Sequence, residues 1–142
     1  MDAQCVLCQE AGGEVLAGDE MCRVILANEP GYPGLCRVVL NAHVAEMTEL
    51  PAEQQIALMQ RVFAVERVIR ATLDPDKINL ASLGNVVPHL HWHVIPRWHG
   101  DRHFPDPIWA APRRPDAVSP VTAAQLTQLR AQIRVLFDAS LA

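Results

Sequence analysis

The sequence predicts an α+β domain: an antiparallel sheet of about five strands, one long helix packed across it and a C-terminal helix. Three observations carry that expectation. Short β-branched segments are separated by Gly, Pro, Asp and Asn, one long stretch repeats apolar residues at three- and four-residue spacing, and a second such stretch lies near the end. At 142 residues, half of them hydrophobic, the chain can bury a core without disulfides, and residues 1–142 read as a single domain.

Residues 14–17, 22–27 and 35–41 read as a meander of strands. The intervening Asn28-Glu29-Pro30-Gly31-Tyr32-Pro33-Gly34 cannot continue a helix or an inner strand, because its prolines lack the N–H and its glycines favour turns, so it forms a surface loop or a rim. Thr48 then offers a helix N-cap, with Pro51 in the first turn and Glu53 adding negative charge there. Ile56, Met59, Phe63, Val65, Val68, Ile69 and Leu73 form the apolar stripe of a helix of roughly six turns. Asp74-Pro75-Asp76 ends it. Residues 78–83 and 90–95 supply the fourth and fifth strands.

From about residue 99 to 120 the composition turns to Pro, Arg, Asp and aromatics, which predicts an irregular excursion. Trp98, Phe104 and Trp109 in this region are candidates for covering a neighbouring subunit, and His99 and His103 read as surface residues. Thr122-Ala123-Ala124-Gln125 has the capping-box pattern, so Leu126, Leu129, Ile133, Leu136 and Phe137 mark the buried side of a helix at about 122–140.

Charge excludes one class of function. With 12 Lys and Arg against 16 Asp and Glu, and no basic run, binding of a nucleic acid polymer through counterion release is not expected. The start Met1-Asp2-Ala3-Gln4-Cys5 lacks the look of a secretory signal, and the apolar runs are too short for a bilayer, so the expected location is cytoplasmic, away from membranes. In a reducing compartment Cys5, Cys8, Cys22 and Cys36 are free thiols or metal ligands.

The densest chemical signal is His89-Leu90-His91-Trp92-His93-Val94-Ile95. On a strand all three imidazoles project from one face while Leu90, Trp92 and Val94 face the core. Three imidazoles fill a core poorly, since each buried ring nitrogen demands a partner. Two functions fit: a metal platform, or a nucleophile whose neighbours set its tautomer and hydrogen-bond a reacting phosphate. Spacing alone does not choose between them. Cys5-x-x-Cys8 is half of a tetrahedral zinc site that needs two imidazoles from elsewhere; a pair of plain thiols and a redox pair are the other readings. Arg97 fits either a phosphate or a structural carboxylate.

These residues resemble the histidine triad family, whose signature is His-x-His-x-His followed by two apolar residues. The resemblance extends through Cys5-Val6-Leu7-Cys8, Asn41-Ala42-His43, the long helix, Gly84-Asn85 and Pro96-Arg97, and is nearest to small bacterial members described as diadenosine polyphosphate hydrolase-like. It implies a HIT-like fold, a homodimer, and nucleotide hydrolase or transferase chemistry on phosphoanhydrides or phosphoramidates. By that resemblance His91 attacks the α-phosphorus to give a covalent nucleotidyl-histidine, water releases the nucleoside monophosphate, His93 donates to the phosphate or leaving group, and His89 completes the triad. Ser82, Gly84 and Asn85 match phosphate-contacting positions, and Asn28 matches the ribose-binding one. The resemblance further implies that Cys5, Cys8, His43 and His89 hold a structural zinc, and that catalysis requires no cofactor. Leu35 stands where many members place an additional histidine, and Val86 where Ser or Thr often contacts phosphate. Two other readings follow from the same residues: a nucleotide- or metal-binding regulatory module with little turnover, and metal-dependent hydrolysis at a zinc centre.

Overall fold

Asp19 shows how the strand breaks are made. Its Oδ1 accepts from the N–H groups of Met21 and Cys22 at 2.9 and 3.0 Å, closing a turn, and Arg61 reaches Oδ2 at 2.8 Å from the long helix. The computed structural model describes residues 2–138. In chain order it contains α1 (Val6–Gln9), β1 (Glu14–Gly18), β2 (Cys22–Leu26), β3 (Cys36–Leu40), α2 (Ala52–Leu73), β4 (Lys77–Ala81), β5 (His91–Arg97) and α3 (Ala123–Asp138). The sheet order is β1-β2-β3-β5-β4, antiparallel throughout, so the first three strands form the expected meander and β5 inserts between β3 and β4. No helix among the described residues is long and apolar enough to cross a membrane.

Register decides which side chains meet. Leu26 pairs with Cys36, Cys36 with Val94 and Val94 with Leu80; one residue along, Ile25 pairs with Arg37, Arg37 with His93 and His93 with Ala81. The first set faces the helices, where Val24, Cys36, Val38 and Val94 are buried with Val62, Val65 and Ile69 of α2 and Leu129 and Ile133 of α3. The second set faces away. The capping box of α3 forms as expected, with Gln125 N–H donating to Thr122 Oγ1 at 3.1 Å and Thr122 N–H to Gln125 Oε1 at 2.9 Å. Residues 139–140 of the expected helix lie outside the described residues.

Four expectations are corrected. Thr48 is not the N-cap of α2: it lies in a 3-10 turn, Met47–Glu49, closed by Glu46 and Glu49, and α2 starts after Pro51. Proline disfavours helical backbone in the residue before it, so Leu50 is extended with ψ 146 and the helix cannot begin earlier. The buried stripe of α2 is Leu58, Val62, Val65, Ile69 and Leu73, whereas Ile56 is 61% and Phe63 43% exposed. Both series have helical spacing, and only packing against the sheet and α3 selects one. The fourth strand ends at Ala81, and the fifth begins at His91, so His89 lies outside it. Finally, Trp98 packs on the main core and Phe104 lies under the Arg97 guanidinium, 5.5 Å from ring centre to Cζ, leaving only Trp109 half-exposed.

The irregular excursion is pinned by Arg97, 1% exposed. Its guanidinium donates to Asp101 at 2.8 and 3.1 Å, to Asn79 Oδ1 at 2.8 Å and to the Asp106 carbonyl at 2.8 Å, which makes it the partner of a structural carboxylate. Asp101 also accepts from Tyr32 Oη and from the N–H groups of Trp98, His103 and Phe104. Burial alone would raise the Asp101 carboxyl, but Arg97 and these N–H donors outweigh it and hold the group well below the carboxylate range. His103 joins the same network, its Nδ1 2.7 Å from Tyr32 Oη, while His99 is exposed.

Candidate active site

The sheet face turned away from the helices is divided in three. Cys5, Leu7, Ile25 and Val39 form an apolar cluster at one end, and Ala27, Tyr32, Leu35, Ile95 and Ile108 form another beneath the excursion. Between them stand His91, His93 and Arg37, placed by the β3–β5 register that sets Val39 opposite His91 and Arg37 opposite His93. Leu35 is fully buried in the second cluster, which explains an apolar residue at that position.

The three histidines do different things because His89 leaves the strand. Its N–H bonds locally to the Val87 carbonyl, and Leu90 N–H bonds to the Val44 carbonyl, so the chain enters β5 through a turn at His89 and a contact of Leu90 with the segment after β3. His89 Nε2 donates to the Leu40 carbonyl at 2.6 Å, which leaves the Nδ1 lone pair free. That Nδ1 faces Cys5 Sγ at 3.4 Å, Cys8 Sγ at 3.5 Å and His43 Nδ1 at 3.3 Å, and Cys8 Sγ is 3.3 Å from His43 Nδ1. The four donor atoms lie within 4.8 Å of one another. Donors around a tetrahedral ion with metal–ligand distances of about 2.0–2.3 Å are separated by roughly 3.3–3.8 Å, so the quartet can hold a metal ion. Asp2 stands 3.6 Å from His43 Nε2, where a carboxylate orients a ligating imidazole. Cys22 and Cys36 are different: burial pushes both thiols up to about 12, leaving them inert core residues.

His91 is half-buried. Its Nδ1 donates to the backbone carbonyl of His89 at 2.6 Å, so the proton sits on Nδ1 and Nε2 presents a lone pair. The ring is T-shaped against His93, with centroids 5.1 Å apart. Ser82 Oγ donates to the His91 carbonyl at 3.0 Å and so holds the strand beyond its last ladder pair. Ser82, Gly84, His89 and His91 line one groove of about 280 Å³ together with Glu46 and Thr48. Gly84 turns the chain there with φ +65, a conformation that a side chain would strain. Asn85 is exposed in the same turn, and Val86 is 93% exposed. Asn28 is not brought to this groove: it lines a separate cavity of about 620 Å³ with Glu14, Arg102 and Arg130.

His93 is 5% exposed. Arg37 Nε donates to its Nδ1 at 3.3 Å, and Trp109 from the excursion meets its ring edge-on at 5.1 Å. Burial first, then the charges of Arg37 and His91, push its pKa down from 6.5 to about 4. His93 is therefore neutral near pH 7, with its proton on Nε2. Sequence reasoning overlooked Arg37 and gave Trp109 to a subunit interface rather than to His93. The available signal for Arg37 was a cation inside a strand, between Cys36 and Val38.

Residues 9–100 match the HIT domain family. An AP-4-A phosphorylase of Mycobacterium tuberculosis is 32% identical over 98 residues, 65% of this chain and 50% of that protein. The adenylylsulfatase HINT3 of Arabidopsis thaliana is 30% identical over 102 residues, 66% of this chain and 52% of its own. The chain thus spans about half the length of these curated relatives. The crystal structure of a histidine triad protein from Marinobacter aquaeolei VT8 superposes with a TM-score of 0.71 at 32% identity, covering 91% of each chain.

The depressed His93 pKa makes stability depend on pH. The unfolded chain binds this proton near 6.5 and the folded chain only near 4, so the contribution of His93 to stability falls by about 3 kcal/mol as pH drops through that window and is constant below it, where the lowered carboxyl of Asp101 takes over. Urea unfolding of wild type and His93→Gln across the window will show wild type losing about that much more stability than the variant, the loss common to both coming from His89, whose pKa burial also lowers.

Proposed function

Because the chain belongs to the HIT domain family, we propose that it is a nucleotide hydrolase or nucleotidyl transferase that forms a covalent nucleotidyl-histidine on His91. The observation that carries this reading is the 2.6 Å hydrogen bond from His91 Nδ1 to the His89 carbonyl, which aims the Nε2 lone pair outward as a nucleophile. The substrate class is an adenylyl group joined to a phosphate, sulfate or amine leaving group, a choice supported by the activities named for the two curated relatives.

His91 Nε2 forms a bond to the α-phosphorus while the bond from phosphorus to the leaving group breaks and its electron pair departs with that group, as an anion for phosphate or sulfate and with a proton taken up from solvent for an amine. The neutral His93 hydrogen-bonds through Nε2–H to the oxygens around phosphorus or to the departing atom; it keeps its proton, because losing it would leave an imidazolate. The His89 carbonyl stabilises the imidazolium character that grows on His91. Water then attacks phosphorus, the P–N bond breaks, a proton passes to solvent or to the leaving group, and the nucleoside monophosphate is released. Ser82, Gly84 and Asn85 border the phosphate in this reading, and Asn28 is kept for the ribose only if the 28–34 loop moves towards the groove.

The Cys5, Cys8, His43 and His89 quartet fits zinc in ligand type and spacing, and zinc held there cross-links the N-terminal segment to the sheet. No step of the reaction passes through it. A homodimer belongs to the same reading, supported by the open edge of β4 and the exposed Ile56 and Phe63 of α2.

Mixing wild type with an α-labelled adenine dinucleoside polyphosphate and quenching in denaturant will trap label on the protein. His91→Ala will trap none and turn over at least about 10³-fold more slowly. Turnover by the variant at the wild-type rate overturns the assignment, and nucleotide binding without turnover by wild type points to a binding module instead. Metal analysis is expected to give about one zinc per chain, with most of it lost in Cys8→Ser, and a chelator that leaves the metal content intact will leave turnover unchanged. Loss of turnover on stripping zinc from a chain that stays folded would move the chemistry to the metal.

A further inference from the structure

We propose that Arg37 is the positioning residue of the reaction: it fixes His93 in a single tautomer, the neutral Nε2–H donor, and supplies the standing positive charge beside the phosphate. This rests on the function proposed above. Arg37 is the second residue of β3, flanked by the fully buried Cys36 and Val38, and the register places it directly opposite His93. A guanidinium in that position is desolvated on one side, which is costly unless its donors are used. Nε–H donates to His93 Nδ1 at 3.3 Å, and Nη2 lies 3.9 Å from Glu29 Oε2 on the 28–34 loop.

Arginine has donors only and does not deprotonate in proteins, so the His93 nitrogen it faces can only be an acceptor. The proton of the neutral ring is thereby placed on Nε2. The remaining sides of the ring are taken by His91 and Trp109, each 5.1 Å away between centroids. The titratable and charged groups facing His93 are Arg37 from β3 and His91 from its own strand; Ala81 of β4 and Trp109 of the excursion carry no charge. Leu35, two residues before Arg37 on the same face, is buried and apolar. Positive charge for a departing anion thus comes from a group that pH does not switch, and the hydrogen bond from one that stays neutral. The low pKa of His93, set first by burial and then by Arg37 and His91, agrees with this division.

The test reads the ring directly. Nitrogen NMR of histidine-labelled full-length protein, with the His93 signals identified from His93→Gln, reports both ring nitrogens from about pH 5 to about pH 8. Wild type will show an unprotonated, hydrogen-bonded Nδ1 and a protonated Nε2 throughout. Arg37→Leu will show mixed tautomers and a His93 midpoint raised by about 1 pH unit or more. Its kcat will fall on the order of 10- to 100-fold with KM changed far less, and Arg37→Lys will restore part of the loss. A proton on Nδ1 in wild type overturns the proposal without any variant having to fold. So does an Arg37→Leu protein whose His93 tautomer and midpoint match wild type. The readout is independent of turnover: the expected tautomer in a protein that processes no nucleotide sinks the proposed function and leaves the Arg37–His93 assignment standing.

Discussion

The site depends on one break in a strand. If β5 began two residues earlier, His89, His91 and His93 would share a face and the first would compete with the other two for the same space. Instead His89 sits in a turn before the strand, its Nε2 bound to the carbonyl of Leu40 at the end of β3, and its ring turns towards Cys5, Cys8 and His43. The same departure exposes the His89 carbonyl to His91 Nδ1. A single residue therefore presents a ligand with its side chain and sets a tautomer with its backbone. The metal quartet and the nucleophile are joined through the covalent frame of His89 and a single hydrogen bond from His91 to its carbonyl.

Around that break the fold supplies rigidity from two directions. On the helix side, close packing of Val24, Cys36, Val38 and Val94 with α2 and α3 fixes the β3–β5 register, and a slip of one residue would carry Arg37, His91 and His93 into the core. On the other side, the Arg97–Asp101 pair anchors an excursion that has no regular secondary structure of its own. Buried ion pairs contribute less to net stability than their geometry suggests, because desolvation opposes them. Losing one partner is far more damaging than the pair is stabilising. Here the pair's role is conformational: it holds Ile108 and Trp109 over the sheet, and Trp109 closes one side of His93.

Periodicity and turn chemistry made most of this architecture legible in the sequence. Gly, Pro and Asp located the strand ends, and α3 announced itself through Thr122 and Gln125. Where the reading failed, two local signals competed. Thr48 is a good N-cap by type but stands before Pro51, and Ile56 and Phe63 have helical spacing but face away from the sheet. The triad was visible as a motif, and the Cys5, Cys8, His43 and His89 quartet became visible only through family resemblance, since its members are scattered over the chain. Arg37 gave only a weak local signal, a cation among apolar strand residues, which by itself assigns no role; the partner that gives it meaning is 56 residues away. Asn28, chosen by resemblance, lines a different cavity, and its loop position was not something spacing could supply.

The division of labour among the histidines makes one demand that no single displacement meets. Hydrolysis of an adenylyl phosphorothioate chiral at the α-phosphorus, in isotopically labelled water, reports the stereochemical course. Two successive in-line displacements, one by His91 and one by water, invert twice and give net retention. Net inversion would mean that water attacks the substrate directly, and His91 would then not be the nucleophile.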